Sequence, residues 1–279
     1  MLMHTDRIDN LLGAVIQHGP SSNRIYIMHT GAASPVQLVK EVDRLGEQNG
    51  YTKIFAKVPG SASRVFLDNG YVTEAEIPGF FNGRETAYFL ARYLDRKRSC
   101  MHDRETINGI IASAKAAKVK SLPPLPEKFS LQQCRPDNAT EMSNIYRTVF
   151  PTYPFPIDNP EYLCQTMKSH IAYFGAATNA QTIALASSEM DIEHENVEMT
   201  DFATLPSWRG HNLAGQLLKL MEQEMRHRKI KTAYTIARAI SAGMNITFGR
   251  AGYTFSGTLV NNTNISGCIE SMNVWYKPL

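Results

Sequence analysis

A chain of 279 residues that is 43% hydrophobic and 20% charged is an ordinary globular protein, long enough for two domains, and its composition excludes disorder. A net charge of +3 spread along its length gives no case for nucleic acid or an anionic membrane as the main partner. The polar start MLMHTDRIDNLLG, the lack of any apolar run near the roughly 18–20 residues of a membrane span, and four cysteines (Cys100, Cys134, Cys164, Cys268) without a CxxC pair predict a cytoplasmic protein with no disulfide framework and no metal site.

In chain order, residues 13 to 28 predict two strands joined by a Gly-Pro-Ser-Ser-Asn turn. A helix follows at 35 to 48, with Val36, Val39, Val42 and Leu45 at helical spacing and Pro35 suited to a first turn. Next come a strand at 52 to 58, a short helix at 62 to 68 stopped by Asn69-Gly70, and strands YVTEAEI and ETAYFLARYL. Arg96-Lys97-Arg98 leads into a helix at 103 to 119 with Ile107, Ile110, Ile111 and Ala114 on one face. The segment SLPPLPEKF, stiffened by Pro123, Pro124 and Pro126, predicts a domain boundary.

The second half opens with a strand at 129 to 135 and a helix at 138 to 149, then the rigid aromatic loop FPTYPFPI and a short helix at 160 to 168. Strands follow at 171 to 177, 182 to 191 and 196 to 204, then LPSWRGHNLAGQLLKLMEQEM (205 to 225) with its helix, a strand at 232 to 239, a helix at 242 to 249, and strands at 253 to 260 and 268 to 276. That order is mixed α/β, with most strands of this half in one sheet. Residues 54 to 94 run parallel to 235 to 279, each a strand, short helix, Gly-Tyr, strand, turn and strand, with Gly70-Tyr71 answering Gly252-Tyr253. The halves therefore predict one shared fold unit, but the first carries HTGAASPV where the second carries its Arg-Gly turn. The expected division is 1–98, a degenerate unit that binds no cofactor; 99–128, a helix and proline-rich linker; and 129–279, the active unit.

The turn before the 205 to 225 helix carries the functional signal. A helix start presents unpaired N–H groups and a partial positive charge, so a small-residue turn there can hold a pyrophosphate. Gly210 and Ala214 keep that backbone approachable, while Leu213, Leu217, Leu218, Leu220 and Met221 bury the helix on its other side. On the turn alone, a plain helix start capped by Ser207 explains the residues as well.

Strand, Arg-Gly turn, amphipathic helix, strand, short helix, Gly-Tyr and two strands resemble the GNAT N-acetyltransferases over residues 129 to 279. In that family the pattern Q/R-x-x-G-x-G/A holds the pyrophosphate of acetyl-coenzyme A, and here it reads Arg209-Gly210-His211-Asn212-Leu213-Ala214. Asn212 stands where the pattern has a glycine, and asparagine tolerates positive φ better than other non-glycine residues. The segments EMTDFATLPSWRG, YTIARA, GMNITF and IESMNVWYK, with the extra first half, are similar to the β-lysine N-acetyltransferases, and this likeness spans nearly the whole chain. It implies a GNAT fold with a splayed mixed sheet behind a degenerate GNAT-like unit. It also implies acetyl-coenzyme A as co-substrate and acetylation of the side-chain amine of β-lysine, whose product serves as a compatible solute.

The chemistry then assigns roles. An alkyl ammonium with a pKa of about 10.4 is roughly 4.6 kcal/mol from its nucleophilic free amine at pH 7, so a general base is needed before the deprotonated amine attacks the thioester directly. The resemblance points to Glu198, on the strand leading into the turn, with Asp201 as rival base or ammonium clamp; an ordinary surface carboxylate is the alternative for Glu198. Alternation puts Glu198, Thr200 and Phe202 on one face and Met199, Asp201 and Ala203 on the other. The resemblance places a backbone N–H donor for the thioester oxygen near Ala203, Thr204 and Leu205, and cofactor contacts at Asn245 and Phe248. Phe248 stands where many family members have a tyrosine acid, leaving Ser241 or water to protonate the thiolate.

For the acceptor, Glu189, Asp201 and Glu270 are candidates for the ammonium and Arg238 for the carboxylate. Glu270 shares a strand face with Met272 and Val274, so it stands either at a strand end in water or against a ligand; Arg238 is otherwise a solvated strand residue. Tyr153 and Phe155 lie in the loop that covers the acceptor in the family, unless FPTYPFPI is a packed connector. The alternatives are another small amine (lysine, a polyamine), a protein amine, or a non-catalytic acyl-coenzyme A sensor. A homodimer is left open.

Overall fold

The computed structural model describes residues 6–119 and 122–279; the first five residues of the polar start, and Lys120 and Ser121 where the proline-rich segment begins, lie outside them. The first sheet contains β1 (Arg7–Leu11), β2 (Ala14–Gly19), β3 (Arg24–His29), β4 (Lys53–Pro59), β5 (Val72–Phe81) and β6 (Glu85–Tyr93), in the order β1-β2-β3-β4-β6-β5. The second contains β7 (Ser130–Gln133), β8 (Ile171–Thr178), β9 (Gln181–Asp191), β10 (Asn196–Thr204), β11 (Thr232–Arg238), β12 (Thr254–Ile265) and β13 (Cys268–Pro278), in the order β12-β13-β11-β10-β9-β8-β7. Helices α1 (Pro35–Asn49) and α2 (Gly60–Asp68) belong to the first sheet; α3 (Arg104–Lys115), α4 (Ala139–Val149), α5 (Pro160–Met167), α6 (Leu213–His227) and α7 (Ala242–Arg250) follow. The fold is mixed α/β.

The two sheets repeat one plan. The run β2-β3-β4-β6-β5 matches β9-β10-β11-β13-β12, each with one parallel pair, β3/β4 and β10/β11. Each parallel pair is joined through a helix of 15 residues, α1 or α6. The helix exits also coincide. Gly70 and Gly252 take φ of +82° and +83°, a conformation open to glycine. The next tyrosine amides donate to Phe66 and Phe248 carbonyls at 3.2 and 3.1 Å, and the Phe66–Tyr71 and Phe248–Tyr253 rings meet edge-on at 5.1 and 5.0 Å.

The amphipathic helices follow their patterns. Leu38, Val39 and Val42 of α1 are buried, and so are Leu213, Leu217, Leu218, Met221 and Met225 of α6. Helix α3 packs on α7 so closely that a Cβ on Gly249 would lie 2.2 Å from the Ala114 carbonyl oxygen. It ends at Lys115 rather than 119, and β1, whose RIDNL sequence carries little apolar alternation, is a strand the pattern did not announce.

The sheets face one another. Tyr26, Phe55, Phe80 and Phe89 of the first form one buried cluster with Tyr234, Leu259, Met272 and Val274 of the second. At the crossing of β12 on β5 a Cβ on Gly257 would sit 1.9 Å from the Glu74 carbonyl oxygen, so only glycine allows the approach. Buried Lys53 ties the same crossing, donating to Glu74 and to the Val260 carbonyl, both at 2.8 Å. Arg98, from the basic patch, donates to the Ser22 and Asn261 carbonyls at 2.6 Å.

Candidate active site

Strand β10 pairs with β9 from Asn196 to Thr200, slips, and resumes at Ala203. Asp201, at the slip, has a φ of +55°, the left-handed conformation of a bulge. Its parallel pairing with β11 covers only Asn196, Val197 and Glu198. Beyond Glu198 the two strands therefore part, opening a wedge beside the start of α6. The bulge also corrects the simple alternation: Asp201 turns into the same cavity as Glu198, Thr200 and Phe202 instead of the opposite face.

The Arg-Gly turn closes one end of this wedge. Gly210 takes φ +86° and Asn212 φ +56°, so the asparagine adopts the left-handed conformation that its pattern position requires. A Cβ on Gly210 would meet nothing within 4 Å, so the turn's backbone is open to a ligand. The first helical bond of α6 runs from the Gln216 amide to the Asn212 carbonyl at 3.2 Å, leaving the Leu213, Ala214 and Gly215 amides without a helical acceptor. Arg209 donates to the Thr204 carbonyl at 3.3 Å. Arg209, Gly210, Asn212, Leu213 and Ala214 all border the cavity; the His211 ring instead packs at a tilt against Phe129 at 5.4 Å and Trp208 at 6.1 Å.

Of the three positions considered for the oxygen-binding amide, Leu205 is ruled out because its N–H donates to the Ile183 carbonyl at 3.0 Å. Alternation along the ladder gives Ala203 the same orientation, toward Leu185 of β9, and turns the Thr204 amide to the open side.

The cavity, about 850 Å³, lies between the two sheets. Its second-sheet wall carries Glu189, Glu198 and Asp201. Glu198 and Glu189 are directly opposite on antiparallel neighbours, a repulsive placement for two carboxylates. Both keep some surface exposed to the cavity but are enclosed by protein. Burial and then Glu189 push the Glu198 carboxyl up to about 8, with Lys57 and a Tyr234 hydrogen bond opposing. Burial likewise raises Glu189, against the pull of Lys57 and His170. Asp201 is also raised by burial, although both its oxygens accept hydrogen bonds, from the Tyr153 and Ser187 hydroxyls at 2.5 Å. Of the two carboxylates considered as the base, Asp201 is thus a bracket between the aromatic loop and β9, whereas Glu198 is not held between two hydroxyls in this way. The loop is fixed at its other side by Gln17 of the first sheet, which donates to the Pro154 carbonyl at 3.0 Å, and Tyr153 and Phe155 border the cavity.

Several predicted residues are corrected. Arg238 and Glu270 form a two-pronged pair with each other at 2.8 and 2.6 Å, with Glu270 buried, so neither is a free acceptor ligand. Asn245 is fully buried; its amide group donates to the Arg238 and Ser241 carbonyls, and its oxygen accepts from Asn273 and Trp275. That network holds β11, β13 and α7 together and leaves nothing for a cofactor. Phe248 packs in the core against Phe202 and Tyr253 while touching the cavity edge, and Ser241 borders the same cavity.

The first sheet supplies what the sequence reading missed. Arg24, Tyr26, Phe55 and Lys57 form the facing wall, and Tyr234 joins it from β11. The available signal was a lysine in the middle of an otherwise apolar strand, IFAKV.

The sequence model of the acetyltransferase (GNAT) family matches residues 139–243. The chain is 38% identical over 272 residues to a β-lysine N(6)-acetyltransferase of Methanococcus maripaludis, covering 98% of each. It is 31% identical to the N-acetyltransferase YodP of Bacillus subtilis over 274 residues, 95% of this chain and 96% of that one. A β-lysine N(6)-acetyltransferase of Methanosarcina mazei is 37% identical over 155 residues, 56% of this chain and 57% of that one.

Proposed function

The chain belongs to the GNAT acetyltransferase family and is an N-acetyltransferase; on that premise we propose that its donor is acetyl-coenzyme A and its acceptor the side-chain amine of β-lysine. The product is N6-acetyl-β-lysine, a compatible solute. The observation that carries this is the position of Glu198. It is a half-buried carboxylate at the last residue of β10 that pairs with β11, where the wedge opens toward the exposed amides of α6. Two relatives at 38% and 37% identity named for β-lysine support the acceptor.

The residues divide the work. Bound acetyl-coenzyme A supplies an activated acyl group. The amides of Leu213, Ala214 and Gly215, with the turn at Gly210 and Asn212, bind its pyrophosphate; the helix-start dipole favours the negative charge. The Thr204 amide, on the open side of β10, faces the developing negative charge on the carbonyl oxygen, a contact worth roughly 2.7–4 kcal/mol. Glu198 takes the proton from the acceptor ammonium. Ser241, on the cavity rim, is placed to return a proton to the departing thiolate. A thiol pKa near 8.5 makes this step worth only about 2 kcal/mol at pH 7.

Free-thiol release with β-lysine beside lysine and spermidine tests the assignment. The highest kcat/KM is expected with β-lysine, with the acetyl group on N6 by NMR. A high rate with another amine and none with β-lysine reverses the acceptor.

A further inference from the structure

We propose that Lys57, contributed by the first sheet, is the specificity-determining cation of the acceptor pocket: its ammonium takes the free carboxylate of an amino-acid acceptor, so that carboxylate-bearing diamines are selected over polyamines and peptide-linked lysines. The inference rests on the acetyltransferase reading of the same cavity and adds to it the role of the first half.

The first observation is an unsatisfied ammonium. Lys57 is 8% exposed and borders the cavity. An ammonium carries three donors, yet its Nζ makes a single hydrogen bond among the described residues, to the Tyr234 hydroxyl at a long 3.3 Å. No carboxylate oxygen among the described residues lies within 4.0 Å of it. Lys53, four residues earlier on the same strand face, is the internal control. It is fully buried, with Glu74 and the Val260 carbonyl both at 2.8 Å, and it needs no ligand. A buried charge with so few close partners is costly unless something arrives to pair it.

The second observation is the removal of rivals. Arg24 lines the same wall, but its Nη1 anchors to the Asn262 carbonyl and the Thr263 hydroxyl at 2.8 and 3.0 Å, and its Nε, without a partner among the described residues, is buried away from the surface. Arg238 is paired with Glu270. His29 borders the cavity, but burial and Lys57 hold it neutral, its pKa pushed down to about 4. The rings of Phe80 and Tyr234 lie 5.5 and 5.6 Å from the Lys57 Nζ, cation–π contacts that position the ammonium without using its remaining hydrogen-bond donors.

The third is the polarity of the cavity. Its two walls oppose a cation on β4 to the Glu189–Glu198 pair on β9 and β10. A molecule with a carboxylate at one end and an amine at the other fits that field. A polyamine presents an ammonium to Lys57 and is repelled, and a lysine within a peptide has no free carboxylate to offer.

The test compares kcat/KM for β-lysine and for its carboxamide in the wild type, Lys57→Met and Lys57→Arg. The wild type is expected to prefer the acid by roughly 10- to 100-fold, the range of a charge-assisted hydrogen bond. Lys57→Met should bring the ratio near unity, chiefly through KM for the acid, and Lys57→Arg should restore part of the preference. Acetyl-coenzyme A binding by calorimetry reports that the variants are folded. A wild type without preference, or a folded Lys57→Met that keeps it, overturns the inference. If Lys57→Met does not fold, the wild-type ratio and Lys57→Arg decide. Acetylation of β-lysine without an acid-to-amide preference sinks this inference alone; no acetylation of β-lysine or lysine sinks the proposed function beneath it.

Discussion

Glu189 and Glu198 stand directly opposite each other on β9 and β10, two carboxylates sharing one cavity. Neighbouring like charges resist joint ionisation, so a proton, or an acceptor ammonium, is the natural third member of the pair. A free amine is needed for attack and an ammonium is what arrives. The pair is therefore suited both to draw the acceptor in and to remove its proton.

Glu198→Gln keeps the shape and removes the proposed base. It should lower kcat by about 10²- to 10⁴-fold while leaving acetyl-coenzyme A binding intact. Full activity in this variant would move the base elsewhere, and an acyl-coenzyme A sensor would be indifferent to it.

The raised Glu198 carboxyl sets a pH profile. A base must be deprotonated, so log kcat/KM should climb with pH and level off above about 8. Stability has the opposite slope. The ordinary value is 4.5 and the folded value about 8, so the fold binds the proton more tightly than the unfolded chain does. The stabilising contribution is complete below the lower value and is lost as pH rises through the upper one. Glu189, also raised, acts with the same sign. Melting temperatures of the ligand-free protein should fall across this window, and Glu189→Gln/Glu198→Gln should flatten the decline.

Arg238 and Glu270 are assigned a structural role. Arg238→Met leaves a buried carboxylate without its partner; because the arginine side chain is 29% exposed, the loss should fall at the lower end of the range for broken buried pairs, about 3 kcal/mol by denaturant unfolding. Arg238→Met/Glu270→Met should recover most of it. A single variant of unchanged stability but raised acceptor KM would return Arg238 to the substrate.

How much of this was legible in the sequence depends on where the information lies. Turn and helix chemistry is local, so the Arg-Gly turn and α6 could be located from residue types, while Glu198 on the strand before them was singled out through the family resemblance. Asp201 could not be placed, because a left-handed residue in β10 inverts the alternation and nothing in VEMTDFAT marks it. Arg238 and Glu270 meet only through the register of β11 on β13, which pairs Arg238 with Met272. Lys57 reads as an exposed residue of IFAKV until a second sheet is known to cover that face. The repeated Gly-Tyr exits were legible as likeness between the halves; that the halves close one cavity was a matter of tertiary packing.

Asn212 holds the turn at positive φ. Asn212→Gly should bind acetyl-coenzyme A like the wild type. Asn212→Val pays about 1–2 kcal/mol for the left-handed conformation, and its affinity should fall by roughly 5- to 30-fold in a direct binding assay. Equal affinities would mean the turn does not shape the site.

Calorimetric titration of the intact protein with acetyl-coenzyme A bears most directly on the whole account. The open turn at Gly210 and Asn212, ahead of α6, predicts one equivalent bound per chain. No heat of binding would remove the donor and the mechanism with it; two equivalents would contradict the assignment of the first half as a unit that shapes the acceptor pocket without holding a cofactor.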